Sequence, residues 1–279
     1  MEQYSRAERP GQSSGGGRLA GAAAAIGPVS THTHTNLSLC GAPDATFDGV
    51  LRVAAERRYE LVALTDHVHV PYVTDYAGHL GRLARYREWR AAASPPFALV
   101  IGGEFEVLAP GRVLAPPELV AACECVIAAP NHYQLPWIED PPADVAGAAA
   151  HELACIETIL AWPAAQVVAH PFFGGGKGHS TDALLAACDR QRLDEVIHRA
   201  VERGVAFEIQ PKFWLDPAAG RLGEFFAVVL ARGGRLALGS DAHNLAGLEA
   251  WAAAVPAIVA RFGLRREDLW LPAAAGASG

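Results

Sequence analysis

The feature that most constrains this chain is a regular alternation of short apolar runs with helix-patterned stretches. Seven runs have strand-like length and loop residues at their ends: "IGPVS" (26–30), "ELVALT" (60–65), "ALVIGG" (98–103), "CVIAA" (125–129), "QVVA" (166–169), "VAFEI" (205–209) and "RLALGS" (235–240). Between most of them lie helix candidates such as "FDGVLRVAAERRY" (47–59) and "LDEVIHRAVERG" (193–204). In the second, Leu193, Val196, Ile197, Ala200 and Val201 recur at helical spacing, and Gly204 is a natural stop. Strand followed by helix about seven times predicts a parallel barrel or a doubly wound sheet. The connection over 104–124 is short, carries Pro110, Pro116 and Pro117, and is expected to lack a full helix. The pattern fits best a single α/β domain, a distorted seven-stranded (β/α)7 TIM-like barrel, expected over residues 27–271. Residues 1–26 and 272–279, rich in Gly, Ala and Ser, are expected to be flexible tails.

Composition narrows the function. A net charge of −7 gives no extensive nucleic-acid surface, although a nucleotide in a locally positive pocket stays compatible with it. No apolar run approaches the roughly 18 to 20 residues that cross a bilayer, so no membrane span is expected. Glu2 and Glu8 fall in the first stretch, which argues against a secretory signal. Five cysteines, an odd number, suggest reduced thiols and a cytoplasmic location. Cys123 and Cys125 form a single Cys-x-Cys within an apolar run and are expected to be small core residues.

The chemistry gathers at the ends of the predicted strands. The first run leads into "THTHT", with His32 and His34 projecting to the same side of an extended segment. The second ends in Asp66 and His67, the third in Glu104, the fourth in His132, the fifth in His170 and the seventh in Asp241 and His243. In a parallel barrel these ends share one face, the face on which barrel active sites are built. Each residue alone could be a solvated loop group or a satisfied core histidine. Together they form a nitrogen-rich donor set with carboxylates able to bridge, which suits Zn²⁺, Fe or Mn²⁺ and disfavours Ca²⁺ and Mg²⁺. The six histidines with Glu104 and Asp241 exceed the needs of one four-coordinate ion, so two or three divalent transition metals are expected.

The ordered segments "THTHT", "LTDH", "GGE", "NH", "AHPF" and "GSDAH" resemble the successive motifs of the PHP (polymerase and histidinol phosphatase) family over about residues 28–245. The resemblance implies a distorted seven-stranded barrel with a multinuclear metal cluster used for phosphoester hydrolysis. It also implies one metal on His32, His34, Glu104 and Asp241, and a second on Glu104, His132 and His170, with a nucleophilic hydroxide between them. His67 and His243 would belong to a third, and Asp66 would orient ligands rather than bind. Where the family often places a His or Asp after the first motif, this chain has Leu39 and Cys40. Leu39 cannot ligate, whereas Cys40 is either a third-site thiolate ligand or a neutral structural residue.

Substrate contacts are harder to read. Of the 23 cationic residues only Lys177 and Lys212 are lysines, and both follow predicted strands. Either is a candidate grip for a small phosphorylated substrate, with His179 and His69 as weaker candidates for contact or proton donation. Trp214 could wall the pocket, and His79, His151 and His198, in helical stretches, are expected at the surface. Two other functions remain open: amidohydrolase-type cleavage of C–N or ester bonds on the same centre, and a non-catalytic module stabilised by metal.

Overall fold

The computed structural model of the chain describes residues 26–69, 76–173, 177–211 and 220–273. Nearly all of the two expected tails, along with Lys212 and Trp214, lies outside the described residues. In chain order the elements are β1 (Val29–Thr33), α1 (Phe47–Glu56), β2 (Leu61–Leu64), β3 (His67–Val68), α2 (Tyr76–Ala93), β4 (Ala98–Ala109), β5 (Arg112–Val113), α3 (Pro117–Ala122) and β6 (Cys125–Ala129). The second half continues with α4 (Val145–Ala161), β7 (Val167–Val168), α5 (Thr181–Ala187), α6 (Arg190–Arg203), β8 (Ala206–Ile209), α7 (Gly220–Ala231), β9 (Leu236–Leu238) and α8 (Leu245–Phe262).

Seven strands pair in parallel in the order β1-β2-β4-β6-β7-β8-β9, while β3 and β5 attach only to β4. The circle closes through an isolated parallel bridge between Thr33 and Ala242. There Asp241 N–H donates to the His32 carbonyl at 2.9 Å and His34 N–H to the Ala242 carbonyl at 3.0 Å. The expected barrel is thus present in nearly closed form, and its seam runs through the metal-capable residues themselves.

Two expectations need adjustment. The first strand is displaced toward the histidines, at Val29–Thr33 rather than 26–30, because the ladder to β2 continues through the buried Thr-His segment beyond the last apolar residue. The third strand does not stop at Gly103. β4 is 12 residues long and holds Glu104 and Glu106 mid-strand, paired with β3 on one side and β6 on the other. Much of the 104–124 connection is therefore strand and hairpin, and its helix α3 has only six residues.

The helices follow local chemistry. Thr46 caps α1 by accepting from Gly49 N–H, and Phe47, Val50, Val53 and Ala54 face the core. α6 begins three residues before the predicted start because Asp189 caps Arg192 N–H, and it ends as expected at Gly204, whose φ of +69° only glycine adopts without strain. By length and composition α8 could cross a membrane, with a mean hydropathy of 1.4, which the sequence pattern did not suggest. Its Leu248, Trp251, Val255 and Ile258 are buried in the core between helices and strands. Inside the barrel a smaller cluster of Leu61, Val100, Ile127, Val167, Ala206 and Ala237 packs with Trp270. Further along the same inward-facing rows, Val100 gives way to Glu104 and Ala206 to Glu208. The apolar plug thus hands over to charge as the barrel rises.

Candidate metal centre

Buried carboxylates and imidazoles would be an expensive way to fill a barrel unless each polar atom had a partner. Glu104, Glu106, Glu208, His32 and His34 are each 0% exposed. Their hydrogen bonds explain how the rings are aimed. His32 Nδ1 lies 2.9 Å from Glu208 Oε1, and His132 Nδ1 lies 3.0 Å from Glu106 Oε2. A carboxylate only accepts, so the ring donates Nδ1–H in both pairs. His243 donates Nδ1–H to the Asp241 carbonyl at 2.8 Å. His170 Nδ1 is 2.8 Å from Asn131 Oδ1, and the amide cannot be flipped, because Asn131 Nδ2 donates to Glu152 Oε1 and to the His170 carbonyl.

Four rings therefore have Nδ1 tied back, and in each neutral ring Nε2 is left as a lone-pair donor. This is how metal-binding histidines are held, with the distal nitrogen fixed by an acceptor so that the proximal one faces the ion. Three of the four converge on Glu104. His132 Nε2 and His170 Nε2 are 3.5 Å and 3.0 Å from Glu104 Oε1. His32 Nε2 is 3.3 Å from Oε2, joined there by His34 Nε2 at 3.5 Å and His67 Nδ1 at 2.8 Å. The two oxygens of one carboxylate thus divide the nitrogens into two groups. Asp241 Oδ1 completes the Oε2 group, 3.6 Å from His32 Nε2 and 3.2 Å from His34 Nε2.

Within this cluster several buried atoms have no hydrogen bond of acceptable geometry, among them His34 Nδ1, Glu104 Oε2 and Glu106 Oε1. The His32 and His34 Nε2 atoms face one another at 3.0 Å. Lone pairs opposed in this way need a shared cation or a proton between them. Donor atoms in the sets His32–His34–Asp241, His67–Glu104–His132, His67–His69–Glu106 and His34–Cys40–His67–His243 each lie within 4.8 Å of one another. The residues present fit divalent cations.

Protonation follows the same map. Burial opposes charge on His32, yet Glu208, Glu104 and Asp241 outweigh it and lift its pKa well above the ordinary range. His67 and His132 are likewise raised against burial, by Glu104 and by Glu106 respectively. Burial together with neighbouring imidazolium charge keeps His34 and His170 below that range. Burial would raise Glu104 and Glu106, but the surrounding histidines hold both well below the usual carboxylate values. Without an ion the pocket gathers protons in its place.

The backbone is bent to deliver these groups. Among the described residues, His170, Phe172 and Asp241 are non-glycine residues in the left-handed region, with φ of +28°, +62° and +45°. Each such residue costs about 1–3 kcal/mol and needs support from its surroundings. His170 N–H donates to Glu208 Oε2 at 2.9 Å, Phe172 N–H to Glu152 Oε1, and Asp241 N–H to the His32 carbonyl. Glu208 thus orients His32 through one oxygen and holds the turn that carries His170 through the other.

The remaining sequence candidates are placed as follows. Asp66 has both oxygens occupied by the Thr35 N–H and hydroxyl and by Tyr86 O–H, so it holds the segment after β1. His69 is buried, with Nδ1 2.7 Å from Glu106 Oε1 and its ring stacked on His67 at 4.2 Å. Lys177 is exposed and pairs with Asp140 at 2.6 Å, and the His179 ring donates to the Ala143 carbonyl at 3.1 Å. His79 is buried rather than on the surface, 2.7 Å from the Arg82 guanidinium; His151 is partly buried and His198 is exposed, paired with Glu202. Cys125 is in the core and Cys123 packs against it, and all five cysteines are free.

The sequence pattern missed Glu106, Asn131, Glu152 and Glu208, although signals were present. Glu106 stands two residues after Glu104 and so shares its face of the strand. Glu208 is an acid in the middle of "VAFEI", the one predicted strand with no donor at its end.

No protein-family model and no curated sequence matches the chain. Solved structures do. The histidinol phosphate phosphatase of Lactococcus lactis subsp. lactis Il1403, complexed with zinc, L-histidinol and phosphate, is similar with a TM-score of 0.59 at 15% identity, covering 86% of this chain and 95% of that one. A candidate histidinol phosphatase of Listeria monocytogenes gives a TM-score of 0.57 at 11% identity, covering 78% of this chain and 96% of that one. Likeness at such identities establishes the fold, a distorted barrel shared with these proteins, and leaves the chemistry to be argued from the side chains.

Proposed function

We propose that the chain is a metal-dependent phosphoesterase of the PHP family, acting on a small phosphorylated substrate. The observation that carries this is the set of four imidazoles with Nδ1 tied back, three of them turning Nε2 onto the two oxygens of one carboxylate. Glu104 would be shared between two cations. On its Oε2 side His32, His34 and Asp241 would hold one divalent cation, and on its Oε1 side His132 and His170 would hold a second. Zn²⁺, Fe or Mn²⁺ suits these donors. Cations bound there supply a water of lowered pKa and neutralise the oxygens of a phosphoryl group.

The protein's own residues do the rest. Glu208, Glu106 and Asn131 fix which nitrogen of His32, His132 and His170 faces the centre. Burial of Glu104 keeps water from competing for its oxygens. His243, with its side chain about a third exposed, marks the open side of the cluster from which substrate enters. Lys177 and Lys212 are proposed to meet the substrate phosphate, which for Lys177 requires exchanging the Asp140 carboxylate for the ligand. His179 and His69 remain weaker candidates for substrate contact.

The test is hydrolysis by metal-loaded protein of p-nitrophenyl phosphate, bis-p-nitrophenyl phosphate and histidinol phosphate, beside a panel of amides and lactones. Histidinol phosphate is included because the similar Lactococcus protein is named for it. Turnover of a phosphoester, abolished by chelation and by His170→Ala in a folded protein, is expected. Turnover confined to amides or lactones would overturn the proposal in favour of amidohydrolase chemistry.

A further inference from the structure

β8 is the one barrel strand whose end brings no imidazole or carboxylate to the two cation sites. Gln210 stands there instead. β8 lies between β7 and β9, and the residues that follow those two strands include His170 and Asp241. Gln210 is therefore placed between a ligand proposed for the Oε1 side of Glu104 and one proposed for the Oε2 side. Gly239 N–H donates to the Ile209 carbonyl at 3.1 Å, which carries the β8–β9 pairing up to this point. Two residues beyond Glu208, Gln210 continues the same inward-facing row one step nearer the mouth, and it is 0% exposed.

The amide has one possible orientation. Glu208 Oε2 accepts from Gln210 Nε2 at 2.7 Å and from His170 N–H at 2.9 Å, while Glu208 Oε1 faces His32 Nδ1 at 2.9 Å. A carboxylate only accepts, so the NH₂ end of Gln210 faces it and the carbonyl end is turned away. No donor among the described residues reaches that buried carbonyl oxygen, Oε1. The bond to Glu208 explains one end of the amide and leaves the other unexplained. A buried carbonyl that loses its water and gains no donor is a net cost to the fold. Its place beside the cation sites identifies what it is kept for.

We infer that Gln210 is a specificity-determining residue whose carbonyl accepts a hydrogen bond from an N–H or O–H on the alcohol portion of the substrate. This rests on the phosphoesterase reading and deepens it by naming a class, the phosphate esters of amino alcohols and polyols. The phosphate itself is not the partner, because its oxygens are acceptors and would oppose the carbonyl. A substrate that lacks the donor leaves a buried acceptor unpaired, so the site selects against it more strongly than an exposed hydrogen bond would.

The test is binding of non-hydrolysable phosphonates to zinc-saturated protein by calorimetry. Aminoalkyl, hydroxyalkyl and plain alkyl phosphonates of matched size are compared over a series of chain lengths. Wild type is expected to prefer a donor-bearing member over its alkyl counterpart by at least about ten-fold, and Gln210→Met, similar in volume but without the carbonyl, to reduce that preference to within about twofold. Whether the amine or the hydroxyl is favoured then separates the two donors. The wild-type series is informative without the variant, so the inference stays testable should Gln210→Met fail to fold. Equal affinities throughout the wild-type series, with phosphoester turnover intact, would overturn the role of Gln210 and leave the phosphoesterase reading standing. Folded Gln210→Met that keeps the preference, or that loses an equivalent of zinc at saturation, would also overturn it, the second result making the amide a cation ligand. Zinc-loaded protein that hydrolyses no phosphoester and binds none of the phosphonates would overturn both.

Discussion

Replacing Glu208 by Gln tests how the imidazoles are aimed. Glu208 is fully buried, and its oxygens accept from three groups: His32 Nδ1 at 2.9 Å, His170 N–H at 2.9 Å and Gln210 Nε2 at 2.7 Å. A glutamine fits the same volume but has one acceptor and one donor end. If its NH₂ faces His32, that ring must accept at Nδ1 and carry its proton on Nε2, the nitrogen meant for the ion. If its NH₂ faces His170 and Gln210, it opposes two donors. Either arrangement spoils one side of the centre. Loss of a group that orients a metal-bound histidine typically weakens binding 10- to 100-fold, equal to about 1.4–2.8 kcal/mol.

The assay is competition for Zn²⁺ against a chromogenic chelator at constant pH, with circular dichroism to establish that the variant is folded. Gly239→Ala is an independent route to the same defect. An added methyl group there would stand 1.9 Å from Glu208 Oε1 and must push the carboxylate aside. Both variants are expected to lose affinity at about the same level, and the double variant to lose little more than either alone. Affinity within about twofold of wild type in folded Glu208→Gln would refute the claim that this carboxylate sets the His32 tautomer.

Four further outcomes are expected. Burial raises the Glu152 carboxyl to about 7 against the hydrogen bonds from Asn131 and Phe172, so the folded chain keeps a proton that the unfolded chain has already released near its ordinary 4.5. Stability should therefore fall as pH rises between these values, and Glu152→Gln should gain on wild type by up to about 3 kcal/mol between pH 5 and 8 in urea titrations of ion-free protein. Asn131→Ala removes the acceptor for His170 Nδ1–H, and should weaken the Oε1-side ion by about 10- to 100-fold while the other remains bound, read by metal content after graded dialysis. Because carboxylates lift the pKa values of His32, His67 and His132, cations must displace protons; Zn²⁺ affinity should fall steeply as pH drops from roughly 8 to 6, with proton release measured by calorimetry in buffers of different ionisation enthalpy. Lys177→Ala should raise KM for a phosphorylated substrate and leave metal content unchanged, whereas unchanged kinetics would remove Lys177 from the substrate site.

Much of this was legible in the sequence because barrel strands are short and each has its own apolar signature. The positions of β2, β6, β8 and β9 follow from runs such as "ELVALT" and "CVIAA", and seven parallel strands are enough to bring their ends together. Less legible was anything that depends on where a strand stops. Polar residues pair into a ladder as readily as apolar ones when both faces are covered, so β1 runs on through His32 and β4 through Glu106. The orienting groups were hidden for a related reason. Glu208 and Glu152 lie inside a strand and a helix, where an acid reads as a solvated face unless the element is known to be buried on that side. The Cys40 loop has neither periodicity nor charge, so its place beside His67 and His243 was expected from the family resemblance alone and not from the residues of the loop.

The most direct measurement is an anomalous difference map from a crystal of zinc-loaded protein, collected on either side of the zinc absorption edge. The account predicts a peak on each side of the Glu104 carboxylate, one against His32, His34 and Asp241 and the other against His132 and His170. A map with no density at Glu104, from protein that hydrolyses phosphoesters, would contradict it.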